Sequence, residues 1–150
     1  TFTIYLPRHE STDESAQPED ARRRVRRGHE TILLVEDEPA VLRLTSSMLR
    51  RQGYSVLAAS TPDRAIRMAR EHAGEIHLLV TDVVMPDMNG AELAKTLLAL
   101  YPNLKPLFMS GYTAEVIAPH GVLDQGVYFI QKPFTWEDLA AKVEQALERR

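Results

Sequence analysis

Asp82, Ser110, Lys132 and the run Glu36-Asp37-Glu38 are the side chains in this sequence whose types and spacing could do chemistry. Each stands at or just past the end of a short, largely apolar stretch. Carboxylates brought close together repel, and burial raises the cost of keeping them ionised. A hard divalent cation relieves that repulsion, and Mg²⁺ in particular takes one or two carboxylates, several waters and a phosphate. The set therefore points to phosphoryl chemistry with Mg²⁺. In that chemistry the Asp82 carboxylate is the nucleophile and forms an acyl phosphate. Lys132 supplies positive charge to the phosphoryl oxygens, Ser110 a hydroxyl, and Gly111 room for approach because it lacks a Cβ.

Taken singly, each residue has an ordinary reading. An aspartate after a strand is commonly a helix cap, a lysine is commonly solvated, and Ser-Gly is commonly a turn. Glu36-Asp37-Glu38 would suit a helix N-terminus through the helix dipole. The chemical reading depends on elements that bring the four positions together.

Those elements are legible from Thr31 onward. Ile32 to Val35 is a continuous apolar run, as in a parallel strand covered on both faces. A helix is expected from Glu38 to Gln52, with Val41, Leu44 and Met48 as its apolar stripe and Gly53 as its stop. Ser55 to Ala59 reads as a second strand. Ser60 or Thr61 caps a helix with Pro62 in its first turn, running to about His72. Ile76 to Thr81 is a third strand, Val83 to Asn89 a loop, and Gly90 to Tyr101 a helix. Pro106 to Ser110 is a fourth strand, with its proline at the start where a missing N–H is tolerated. Thr113 to Ile117 reads as a short helix soon ended by Pro119 and Gly121. Val127 to Ile130 is a fifth strand. Thr135 and Asp138 open a last helix whose stripe is Leu139, Val143 and Leu147.

Five strands alternating with five helices imply an α/β fold, a doubly wound five-stranded parallel sheet with helices on both faces. The expected strand order is the flavodoxin-like 2-1-3-4-5. Ligands in such sheets sit at the carboxyl ends of the strands, where the acidic residues, Ser110 and Lys132 all fall.

Composition narrows the class. The chain has 150 residues, 44% hydrophobic and 26% charged, with a net charge of −3, which suits one packed domain plus a tail. The net negative charge argues against nucleic-acid binding. There is no cysteine, which excludes disulfides, thiolate metal sites and cysteine nucleophiles and makes a reducing, cytoplasmic setting the default. No apolar run reaches the roughly 20 residues of a membrane span, and no signal peptide is visible. Phe2, Ile4 and Leu6 alternate with polar neighbours up to Pro7, the period of a half-buried strand. Residues 8–29 run from acidic (Glu10 to Asp20) to basic (Arg22 to Arg27) and read as a linker. The start at Thr1 suggests a piece of something longer.

The motifs Ile32-Leu33-Leu34-Val35-Glu36-Asp37-Glu38, Val80-Thr81-Asp82-Val83-Val84-Met85-Pro86-Asp87-Met88-Asn89-Gly90, Met109-Ser110-Gly111-Tyr112 and Lys132-Pro133-Phe134 resemble those of bacterial response-regulator receiver domains. The resemblance covers residues 30–150. It implies that Asp82 is the phosphoacceptor of a two-component phosphorelay. It further implies Mg²⁺ held by Asp37, Asp82 and the backbone carbonyl of Val84, with Glu36 acting through water. Ser110 and Phe129 would be the switch pair, and Lys132 would precede a cis peptide to Pro133. Glu36 stands where aspartate is also common, and Phe129 carries no hydroxyl. Residues 1–7 resemble the closing strand of a histidine-kinase ATPase domain, which makes a hybrid histidine kinase the expected parent.

The implied partners are a histidine kinase phosphodonor domain, a histidine phosphotransfer protein, or both. No nucleic acid or membrane contact is expected of the fragment, and it should be a monomer or weak dimer. Receivers of this kind catalyse their own phosphorylation and slow dephosphorylation. None of His9, His29, His72, His77 and His120 stands in a phosphodonor context, and nucleotide-binding Gly-rich loops are absent. A stand-alone response regulator is the alternative context. A haloacid-type phosphatase needs a second aspartate two positions after the nucleophile, and that position is Val84. A receiver-like scaffold that takes no phosphate would have no use for the acidic, lysine and serine set.

Overall fold

The computed structural model describes residues 30–112 and 127–148. The expected strand over 1–7, the linker over 8–29 and the short helix over 113–117 lie outside them. Within them the elements are β1 (Thr31–Val35), α1 (Pro39–Arg51), β2 (Ser55–Ala59), α2 (Pro62–Glu71) and β3 (Leu78–Asp82). They continue as α3 (Gly90–Leu100), β4 (Lys105–Ser110), β5 (Tyr128–Gln131) and α4 (Trp136–Glu148). All strand pairs are parallel, in the order β2-β1-β3-β4-β5 that the alternation predicts.

The apolar run of β1 explains how the layers close. Ile32, Leu33, Leu34 and Val35 are fully buried. Successive side chains point to opposite faces of a sheet. Leu33 and Val35 accordingly join a core cluster with Ala65 and Ala69 of α2 and Leu93 and Leu97 of α3. Ile32 and Leu34 join a second cluster with Leu49 of α1 and Leu139, Val143 and Ala146 of α4. Both faces of the sheet are therefore covered, which a parallel sheet requires.

Local chemistry sets the helix ends. Thr61 Oγ1 accepts from the Arg64 amide at 3.2 Å, and Asn89 Oδ1 from the Glu92 amide at 2.9 Å. Thr135 and Asp138 form a reciprocal capping box, with bonds of 3.1 and 3.2 Å. At the end of α1 the Gly53 amide donates to Arg50 O at 3.0 Å and the Tyr54 amide to Leu49 O at 3.3 Å. That is a Schellman stop, and Gly53 supplies its left-handed residue at φ 97°.

Two sequence expectations need correction. The stripe Val41, Leu44, Met48 is not the buried face of α1. Leu44 is 58% exposed, while Thr45, Ser46 and Leu49 are buried and Leu42 and Met48 pack at the margin. Short polar side chains occupy the face against the sheet, so an apolar count picks the wrong side. The third strand also begins later than Ile76. His77 Nδ1 accepts the Thr31 amide at 2.9 Å and the His77 amide donates to Thr31 O at 2.9 Å. An imidazole thus replaces a backbone acceptor beside the first residue of β1, while Ile76 remains in the core.

Candidate functional site

Register brings the candidate residues to one edge. Val35 pairs with Thr81 and with Ala59, Asp82 with Met109, and Ser110 with Gln131. The residues at or just after these strand ends are Glu36, Asp82, Ser110 and Lys132. Backbone bonds hold them in place. The Glu36 amide donates to Ala59 O at 3.2 Å and the Lys132 amide to Ser110 O at 2.7 Å. The Lys132–Pro133 peptide is cis.

Lys132 Nζ is the hub. It donates to Glu36 Oε2 at 2.5 Å and to Asp82 Oδ2 at 3.3 Å. The other Asp82 oxygen accepts from the Val83 amide at 3.0 Å, and Glu36 Oε1 accepts from the Glu38 amide at 3.2 Å. Glu36 is 1% exposed. Asp82 and Lys132 are partly covered, and Asp37 is open to solvent.

Burial pushes the Glu36 carboxyl up to about 7, the charge of Asp82 adds to this, and the Lys132 hydrogen bond opposes it. Burial also raises Asp82, with the Asp37 charge acting in the same direction and Lys132 against it. Burial by itself would lower Lys132; the bond to Glu36 and the charges of Asp82 and Glu36 outweigh it, so its net shift is upward. The cluster is therefore short of positive charge.

That shortage is the test of fit for a divalent cation. Glu36, Asp37 and Asp82 each offer a carboxylate oxygen, and these oxygens all lie within 4.8 Å of one another. An all-oxygen, acidic donor set open on the Asp37 side fits Mg²⁺.

The remaining candidates lie around this centre. Ser110 is buried, and its Oγ accepts from the Tyr112 amide at 3.0 Å. A Cβ added at Gly111 would meet no protein atom within 4 Å. Val84 is 56% exposed in the loop between β3 and α3. Phe129 is partly buried, pairs in register with Phe108 and packs on the α2–α3 cluster.

Sequence reasoning missed three features. It gave Lys132 and Glu36 separate tasks and did not foresee their direct bond. It assigned nothing to Thr81, whose hydroxyl donates to the Asp82 carbonyl at 3.0 Å. It quoted Gly90 without a role, yet a Cβ there would lie 2.4 Å from the Asp82 carbonyl oxygen. A lone threonine in the apolar run Leu78-Leu79-Val80-Thr81 was the available signal for the second of these.

The raised Glu36 carboxyl has a consequence for stability. Its folded value is about 7 against an ordinary 4.5, so between those limits the folded state holds a proton that the unfolded chain has lost. Stability from this group is fully present below pH 4.5 and is lost as pH rises through 7. Without divalent metal, urea unfolding midpoints should fall from pH 5 to pH 7.5, and Glu36→Gln should flatten that fall. An equal fall in parent and variant would contradict the assignment.

No helix among the described residues is long and apolar enough to cross a membrane. Comparison with known proteins agrees with the fold. Residues 32–144 match the response regulator receiver domain. The sensor kinase CckA of Brucella abortus is 35% identical over 157 aligned residues, covering 100% of this chain and 17% of CckA. The receiver protein CpdR of the same organism is 33% identical over 116 residues, covering 77% of this chain and 95% of CpdR. A crystal structure of the receiver domain from the hybrid histidine kinase CckA is 37% identical and superposes with a TM-score of 0.67. It is covered over 99% of its length, by 79% of this chain. The chain thus spans under a fifth of one relative and nearly all of another. By sequence and by fold, the chain belongs to the response regulator receiver domain family of two-component signalling.

Proposed function

We propose that Asp82 accepts a phosphoryl group from a phosphohistidine and passes it to a histidine phosphotransfer partner. The observation that carries this is the Asp82 carboxylate at the end of β3, bonded to Lys132 and flanked by Glu36 and Asp37. An Asp82 oxygen attacks phosphorus; the new P–O bond forms as the P–N bond to the donor imidazole breaks, and the departing nitrogen takes a proton. Lys132 offers its ammonium to the developing charge. Ser110 lies one strand over and offers a hydroxyl.

Glu36, Asp37 and Asp82 would hold Mg²⁺, with the Val84 carbonyl completing the protein ligands and Glu36 acting through water. Bound there, the cation would neutralise charge on the phosphoryl oxygens. Phosphorylation then adds charge beside Ser110 and Phe129 and biases them inward, shifting the population of the surface around β5 and α4.

A hybrid kinase is the context we favour. The match to CckA extends over the whole chain, including residues 1–29, whereas the match to CpdR covers 77% of it. The near-complete coverage of CpdR supports the second reading, a stand-alone regulator. The genomic frame on both sides of these 150 residues separates them. An ATPase domain upstream supports the first, and a start codon close to Glu30 supports the second. On either reading, phosphoramidate with Mg²⁺ should load one phosphoryl group, and Asp82→Asn should take none. Loading of Asp82→Asn at the parental rate would end the proposal.

A further inference from the structure

Thr81 is a polar side chain buried in an apolar strand. It is 0% exposed. Leu79 and Val83, two residues before and after it, belong to the core cluster shared with α2 and α3. A hydroxyl in such surroundings costs free energy unless it is bonded. Its bond goes to the carbonyl oxygen of Asp82, at 3.0 Å. Gly90 crowds the same carbonyl, since a Cβ there would stand 2.4 Å from that oxygen. The Gly90 amide also donates to Val83 O at 2.8 Å. The last peptide of β3 is therefore held at its carbonyl by a hydroxyl and a close backbone approach, while its N–H, that of Val83, also donates to Met109 O of β4 at 3.0 Å.

We propose that Thr81 is a positioning residue for Asp82. This rests on the reading of Asp82 as phosphoacceptor. The hydroxyl restrains the carbonyl end of the Asp82–Val83 peptide, whose N–H is held by Met109 O. The Asp82 carboxylate is tied to that peptide by the Val83 amide at 3.0 Å and must face Lys132 at 3.3 Å. Without the hydroxyl the peptide keeps its N–H bond to Met109 O but loses the restraint on its carbonyl, which lets the carboxylate drift from the arrangement in which it attacks; small misplacements of a reacting group are costly in rate. For the core alone, valine would serve as well as threonine, since the hydroxyl contributes nothing to apolar packing.

This predicts that activity and stability part company in two variants. Thr81→Val loses the hydroxyl and keeps the branched shape. It should accept phosphate from acetyl phosphate and Mg²⁺ about five- to tenfold more slowly at saturating donor, with a thermal midpoint no lower than that of Thr81→Ser. Thr81→Ser keeps the hydroxyl and loses a buried methyl. It should melt lower, yet phosphorylate within about twofold of the parent, since the bond that orients Asp82 survives.

A merely structural Thr81 would make rate follow stability in both variants. The proposal is overturned if Thr81→Val phosphorylates at the parental rate, or if Thr81→Ser is slowed as much as Thr81→Val. Asp82→Asn in the same assay keeps the two readings apart. If it accepts phosphate, the phosphoacceptor assignment fails and this inference with it. If it is inert while Thr81→Val is unaffected, only the positioning role fails.

Discussion

Lys132→Met is expected to slow phosphoryl acceptance by about a hundredfold or more, the usual effect of removing a preorganised donor from a site of developing charge. Among the described residues, Lys132 is the cation bonded to both Glu36 and Asp82. Methionine keeps the apolar stem and removes the ammonium. A second effect follows from burial. Glu36 is 1% exposed, and without Lys132 its charge would be buried and unpaired. It escapes by binding a proton, which its upward shift to about 7 shows to be within reach. The stability loss should therefore be small at pH 5 and grow towards pH 8. Stopped-flow or quench-flow phosphorylation reads the first effect, and urea unfolding at the two pH values reads the second. A variant that accepts phosphate at the parental rate would remove Lys132 from the account.

Gly90→Ala should destabilise the fold and slow phosphorylation together. The added Cβ would stand 2.4 Å from the Asp82 carbonyl oxygen and 3.3 Å from both the Asp82 carbonyl carbon and Phe108 Cδ1. The closest obstacle is backbone of a central strand, which cannot swing aside as a side chain could. Either α3 lifts away from β3 or Asp82 is displaced. Overpacking of this kind costs about 1–3 kcal/mol, against a gain of about 1 kcal/mol from the better helix former. The position is the first residue of α3, where that gain is smallest, so a net loss is expected. Phosphorylation should fall with it, because the displaced group is the proposed nucleophile. Unchanged urea midpoint and unchanged phosphorylation would show that the contact relaxes freely.

Some of this architecture could be read from the sequence because the local signals were unambiguous. Ile32 to Val35 admits no polar face, so it had to be a strand covered on both sides. Pro62 behind Ser60 or Thr61, and Thr135 with Asp138, are start signals with a hydrogen-bonding use each. Strand ends then follow, and with them the gathering of Glu36, Asp37, Asp82, Ser110 and Lys132. What could not be read depended on tertiary context. The buried face of α1 carries Thr45 and Ser46, which no apolar period detects, while Leu44 faces out. The late start of β3 depends on an imidazole bonded across to Thr31. The Glu36–Lys132 bond depends on the longer reach of a glutamate, which its position before Asp37 does not reveal. Gly90 declares its purpose only once α3 is seen against the Asp82 carbonyl.

The central claim is that Asp82 is the phosphoacceptor, and peptide mapping after loading tests it most directly. The chain is incubated with acetyl phosphate and Mg²⁺, then digested quickly at low pH and analysed by mass spectrometry beside an Asp82→Asn control. The predicted result is one hydroxylamine-sensitive phosphoryl group on the peptide containing Asp82, absent from the control and absent when Mg²⁺ is chelated. A phosphoryl group mapped to another residue, or equal loading of Asp82→Asn, would contradict it.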